Sequence, residues 1–367
     1  MRVLKISALF LLLLLFLLSA FLAFHLYSNA PVTSTEIFRD DEDEQAQRAA
    51  NNFVNVIKET TTSYAARGAH AKSHACVKAY FNISNTIEKD LQQGVFRTPG
   101  KVFKSWIRFS NGASNLAKSQ DGKNDSRGMA IKLINAKEGR INSIAESSHT
   151  QDFLMHNNPV FFSGNIEDYN QLVESDNKIL SFFSSKNPFN WRIRELGHVL
   201  DTLSPPPYSP LWDDYFSNTA YKLGPHNIKF STLPCTSSPK PTEEMHADEN
   251  FLSHTMAKEL SDSEACFTFQ VQLQDVNKYM PIENPSIEWR ETDSPFITLA
   301  TISIPQQSFD SVEQQQFCEN MSFSPWNGLA AHRPIGELNR IRKMVYAASS
   351  RYRHMKNKTE EPTSLDW

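Results

Sequence analysis

A tyrosine one helical turn from an arginine is the most suggestive pair in this chain. The stretch RIRKMVYAASSRYRHMKN, Arg340 to Asn357, reads as a helix. Arg342 lies four residues before Tyr346 and Arg353 seven after it, so the three share a face. A free phenol ionises near ~10, so a tyrosinate at neutral pH needs a cation or a metal beside it. Arg342 supplies the first, and a ferric haem iron would supply the second. The same residues also fit a salt-bridged helix with Tyr346 packed inward, or a basic patch for nucleic acid.

Other candidates lie upstream. ARGAHAKSHACVKAYF sets Arg67 three residues before His70, with His74 four further on. On a helix the two histidines would share a face and could ligate a metal, but no HExxH glutamate is present and the segment leads into an apparent strand. WIRFSNG puts Arg108 and Ser110 on one face of a strand, two residues apart. QDFLMHNNPVFF presents His156, Asn157 and Asn158 just before Phe161 and Phe162. That pattern suits a pocket wall and equally suits a loop entering a core strand. Each feature alone is also what a satisfied core histidine or a solvent-facing pair looks like.

These residues need elements to hold them. The chain has 367 residues, 40% hydrophobic and 11% aromatic, with 25 phenylalanines. Its formal net charge of −4 argues against a polyanion binder, so no nucleic-acid partner is expected. From residue 46 to 355 the pattern is one continuous globular domain. Helical spacing runs through AQRAANNFVNVIKET, and NIEDYNQLVESDNKILSFFSS looks helical. KVFKSWIRFSNG, SRGMAIKLINA, ACFTFQVQLQD and SPFITLATISIP read as strands, with Phe267, Phe269, Val271 and Leu273 pointing one way. SPPPYSPLW is a proline-rich connection. The expected class is α+β with an antiparallel sheet or barrel. No GxGxxG or P-loop pattern supports nucleotide binding.

At the N-terminus, Arg2 and Lys5 precede an apolar run from Ile6 to about Phe24, long enough to span a bilayer. Residues 1–27 are expected to be a transmembrane anchor, with a cleaved signal ending near Ser28–Ala30 as the alternative. The body would lie outside the cytoplasm. Residues 28–45 read as a solvated acidic linker and 356–367 as a polar tail. Cys76, Cys235, Cys266 and Cys318 permit three full pairings, and their spacing selects none. Asn82, Asn124, Asn320 and Asn357 begin N-x-S/T sequons.

The order of the motifs is more specific than any one of them. Arg-x-x-His, Arg-Phe-Ser, DSRGMAIK, PVFF and Arg-x-x-x-Tyr follow one another as they do in the haem catalases. Over residues 46 to 355 the chain resembles the catalase superfamily, above all its small divergent branch, with YKLGP, MPIENPSIEW and FSPWNG in support. The resemblance implies a catalase-like antiparallel β-barrel surrounded by helices and a haem b cofactor. Tyr346 matches the iron ligand and Arg342 its partner. His70 matches the distal acid/base residue, Ser110 the serine that orients it, and Asn157 the distal asparagine. Arg67, Arg108 and Arg353 match the arginines at the propionates, and Phe161 the aromatic over the haem. Counted without gaps from Asp152, the distal asparagine falls on His156, one residue before Asn157. His74 remains a rival to His70, which alone keeps the arginine spacing. The implied reaction is disproportionation of hydrogen peroxide, with possible peroxidase activity. The alternatives are a haem enzyme acting on fatty-acid hydroperoxides, like allene oxide synthases, and a non-enzymatic haem scaffold. The chain stops soon after Tyr346, so a monomer or dimer without NADPH is expected.

Overall fold

A computed structural model describes residues 2–26, 30–116, 119–137, 149–203, 205, 207–235 and 248–367, with side chains from residue 10 onward. Ser28 and Asn29 of the candidate cleavage site, the flanking side chains of Arg2 and Lys5, and Ser204 and Pro206 of the proline-rich stretch lie outside the described residues.

The strands are β1 (Ser73–Ile83), β2 (Val102–Asn111), β3 (Arg127–Ile134), β4 (Thr150–His156), β5 (Tyr215–Phe216), β6 (Tyr221–Leu223), β7 (His226–Pro234), β8 (Ala265–Leu273) and β9 (Phe296–Ile304). All pair antiparallel. The ring β1-β2-β3-β4-β5-β7-β8-β9 closes on itself through the β1–β9 and β5–β7 pairs, giving an eight-stranded barrel, and β6 adds to β7 outside it. A barrel of this size is just wide enough to be filled by side chains. The abundant phenylalanines do this: Phe81, Phe96, Phe153, Phe230 and Phe269 are at most 3% exposed and meet with ring centroids 4.9–6.5 Å apart. Emptying one such position to alanine costs about 3–5 kcal/mol.

Because the barrel is full, any large cavity must lie outside it. The helices make the outer wall: α1 (Arg2–Leu26), α2 (Glu42–Thr60), α3 (Ile166–Glu174), α4 (Lys178–Ser181), α5 (Ile193–Thr202), α6 (Phe251–Asp262), α7 (Val312–Asn320) and α8 (Glu337–Asn357). The helical stretch after Gly164 is two helices, because the chain leaves helical geometry at Ser175 and Asn177 caps a new start by accepting from Leu180 N. Helix α8 lies against α2, where Ala46, Ala49 and Ala50 face Leu338, Ile341 and Val345. The alanines let the two backbones approach closely. Both ends of α8 are fixed. Arg340 pairs with Glu36, Glu42 and Glu283, and Asn357 both donates to Ala65 O and accepts from Ala65 N.

Two peripheral segments differ from expectation. The acidic stretch is not a solvated linker: Glu42, Asp43 and Glu44 form the first turn of α2, where negative charge favours the helix N-terminus. Upstream of it, Asn227 and Gln274 donate to Ser34 O and Thr33 O. The C-terminal tail also packs. Leu365 and Trp367 cover Trp106, and Lys104 pairs with Asp366. Among the described residues no helix is long and apolar enough to cross a membrane.

The cysteines pair as Cys76–Cys318 and Cys235–Cys266. The first closes a 242-residue separation and ties α7 to β1. Changing Cys76 and Cys318 together to alanine is expected to lower unfolding stability by about 2–4 kcal/mol, the usual worth of such a cross-link. Chemical denaturation under non-reducing conditions measures it, and an unchanged midpoint would contradict it.

Candidate functional site

A cavity of about 430 Å³ lies between the outer face of β2–β4 and helices α2 and α8. Strand alternation builds its floor. Ile107, Phe109, Met129, Ile131, Phe153 and Met155 belong to the core, and the residues between them face outward. Register then sets two rows across three strands: Ser110, Gly128 and His156 in one, Arg108, Ala130 and Leu154 in the next. All six line the cavity. Glycine is required in the first row, since a Cβ at Gly128 would stand 2.5 Å from His70 Nδ1 and 2.9 Å from Ser110 Oγ.

His70 is held over this floor by an unusual backbone. Its φ is +54°, in the left-handed region that non-glycine residues seldom adopt. Bonds from His70 N to Gly112 O and from Ala71 N to Ala113 O, at 3.0 and 3.1 Å, fix that conformation. Its Nδ1 is 3.1 Å from Ser110 Oγ. In the tautomer that donates Nδ1–H to the serine, Nε2 offers a lone pair to the cavity. Burial, with Arg108 adding to it, pushes the His70 pKa down to about 4, so the ring is neutral at physiological pH. His74 is elsewhere. It sits in β1 with Nε2 2.8 Å from Asn111 Oδ1, in a buried network with Lys72 and Asp121, and does not line the cavity. The two histidines share no helix face, because one lies before the strand and the other in it.

The polar position on β4 belongs to His156. It continues the parity of Leu154, whereas Asn157 turns away: Asn157 Oδ1 accepts from Arg127 N at 2.7 Å and Nδ2 donates to Asp213 at 3.0 Å. Asn157 is therefore not part of the cavity wall. The His156 ring centroid lies 6.3 Å from that of His70 and 6.3 Å from that of Phe161, which stacks on Phe162. Burial, aided by His70 and Arg342, pushes the His156 pKa down to about 3.

Across the cavity, α8 presents Arg342, Tyr346 and Arg353 on one face. Arg342 donates to Tyr346 Oη at 2.9 Å and also to Asn339 at 3.0 Å. Burial disfavours the Arg342 charge, but the Tyr346 and Tyr221 phenols outweigh it and raise its pKa. Tyr352 is off this face, under Lys58.

The third feature is a cationic cluster. Arg67, Arg108 and Arg353 all line the cavity and converge on one carboxylate, Glu319 of α7. Burial would raise the Glu319 pKa, but the three guanidiniums hold it down at about 2. Burial and mutual repulsion lower Arg108 to about 9 and Arg353 to about 10. Three cations against one anion leave an excess of two positive charges. Among the described residues Arg353 Nε and His156 Nδ1 are buried without a hydrogen-bond partner. Nothing in the sequence singled out Glu319. It follows Cys318, and only the pairing with Cys76 would have placed it beside Arg67.

These groups suit a haem. A phenol backed by arginine stands opposite a neutral imidazole, and the arginine excess matches the two propionates of haem b. Comparison with known proteins agrees in kind. Residues 55–180 match the family model for catalase. Similar solved structures include a fungal catalase, at TM-score 0.65 and 16% identity over 92% of this chain and 68% of that one. Catalase A from Saccharomyces cerevisiae matches at 0.64 and 16%, over 92% and 77%. A bacterial catalase matches at 0.61 and 16%, over 89% and 64%. At such identity the structures speak for the fold. A search of curated proteins finds no match in sequence. The match over residues 55–180 and the shared fold agree with the resemblance read from the motif order.

Proposed function

We propose that the chain is a haem-dependent oxidoreductase of the catalase superfamily that disproportionates hydrogen peroxide to water and dioxygen, a reading supported by the catalase family-model match over residues 55–180 and by the shared fold. One observation carries the reading: the Arg342–Tyr346 pair faces the His70–Ser110 pair across one cavity whose rim holds two unmatched positive charges. Tyr346 would ligate the iron of haem b, with Arg342 donating a hydrogen bond to the same oxygen. Arg67, Arg108 and Arg353 would receive the propionates, and Phe161 would pack beside the ring. The bound haem would supply the redox centre that peroxide chemistry needs. His70 Nε2 takes a proton from one peroxide oxygen and returns it to the other, while Ser110 holds the ring.

A second reading is favoured by the apolar lining from Ala49, Phe53, Phe161, Phe162 and Ile166. That wall accepts an organic chain, and peroxidase turnover or a fatty-acid hydroperoxide would use the same residues. We place the body outside the cytoplasm, held to a membrane by its N-terminal segment. The two disulfides support an oxidising compartment.

The expected result is a Soret band from haem-replete protein and oxygen evolution on adding hydrogen peroxide. Absence of the band would overturn the cofactor assignment. A band with turnover only of a fatty-acid hydroperoxide would select the second reading.

A further inference from the structure

Large apolar side chains that face solvent are scattered over most of the described domain surface, yet five fall within residues 179–203. They are Ile179, Leu180, Phe189, Leu200 and Leu203, each 46–63% exposed. Phe183 meets Trp191 edge-on at 5.3 Å and Arg192 N donates to Phe182 O, which holds α4 beside the start of α5. Helix α1 docks at this place. Phe21 and Phe24 reach Phe189 at 5.8 and 5.4 Å, and Phe21 reaches Trp191 at 6.2 Å.

The rest of α1 has no cover among the described residues. Every residue that is a leucine or phenylalanine from Phe10 to Leu18 is 52–67% exposed, on all sides of the helix. A helix apolar all round belongs in a protein core or in lipid, and no core surrounds this one. A solvent-facing apolar patch continuous with such a helix marks an interaction surface.

We propose that residues 179–203 form a second membrane contact, lying against the acyl region of the bilayer in which the membrane placement proposed above, on which this inference rests, sets α1. The two surfaces meet at Phe189, so one lipid phase covers both. The patch also borders the cavity. Thr202, the last residue of α5, lines it, with Leu200 and Leu203 exposed on either side. The ten residues of α5 are about 15 Å long at 1.5 Å per residue, so the cavity wall would stand one short helix from the bilayer.

The test uses the full-length chain in phosphatidylcholine nanodiscs carrying a trace of phosphatidylcholine with a diazirine in its acyl chain. After photolysis, mass spectrometry is expected to find label on α1 and on peptides covering 179–203. The variant I179S/L180S/F189S/L200S should keep the α1 label and lose the second, with its thermal melt showing that the domain stays folded. Label confined to α1, no label, or 179–203 cross-linked to a second copy of the chain would overturn the proposal. The readout does not depend on haem, so its failure is distinct from failure of the catalase reading.

Discussion

Tyr346→Phe should yield folded protein that no longer retains haem. Phenylalanine keeps the ring that packs along α8, and Arg342 keeps its bonds to Asn339, Thr219 and Tyr221. The structural cost is therefore the loss of one buried hydrogen bond, about 1–3 kcal/mol. The cost to the cofactor should be larger, because the only change on that side of the cavity is removal of the oxygen proposed to ligate the iron. Outer-shell partners of a metal ligand typically account for about 10–100-fold in affinity, and loss of the ligand itself should exceed that. Haem titration followed in the Soret region measures it, with a melt to verify the fold. A normal tyrosinate-type spectrum in the variant would show that Tyr346 is not the ligand.

Such a test is possible because much of the site was legible in advance. Arg342, Tyr346 and Arg353 share a helix face, and Arg108 and Ser110 share a strand face. Both placements follow from backbone period alone. The barrel was also legible, since alternation in ACFTFQVQLQD and SPFITLATISIP fixes which side is core. Period two along β4 could equally have assigned the cavity to His156: Leu154 and His156 face one way and Asn157 the other. Counting motif positions hid that signal, because the family pattern asks for an amide there.

What was not legible depends on contacts between segments distant in sequence. Glu319 enters the arginine cluster through a cross-link whose partner could not be chosen among three pairings. His70 owes its position to a left-handed backbone pinned by Gly112 and Ala113, and no local pattern announces a positive φ at a histidine. The acidic stretch read as linker by composition, yet Arg340, nearly 300 residues later, supplies the charge that holds Glu42 and Glu36 in place.

The proximity of His70 and His156 makes the second substitution the sharper test. His70→Ala should retain haem, since Tyr346 and the arginines are untouched, and should lose about 10²–10⁴-fold in peroxide turnover, the usual contribution of a positioned acid/base group. Its pH dependence adds a signature that a packing role would not give. The wild-type histidine has a depressed pKa of about 4, so it is a neutral base above that value and is protonated below it. Oxygen evolution should therefore be level from neutrality toward about pH 5 and fall as the pH approaches 4, and the acid limb should vanish with the residual rate in the variant. Burial, with His70 and Arg342 adding to it, pushes the His156 pKa lower still, to about 3. His156 therefore cannot replace the limb. His74→Ala, which disturbs only the Asn111–Asp121 network behind β1, should leave turnover close to wild type. If that variant loses turnover and His70→Ala keeps it, the proton is handled from the wrong side of the strand for this site to be the reactive one.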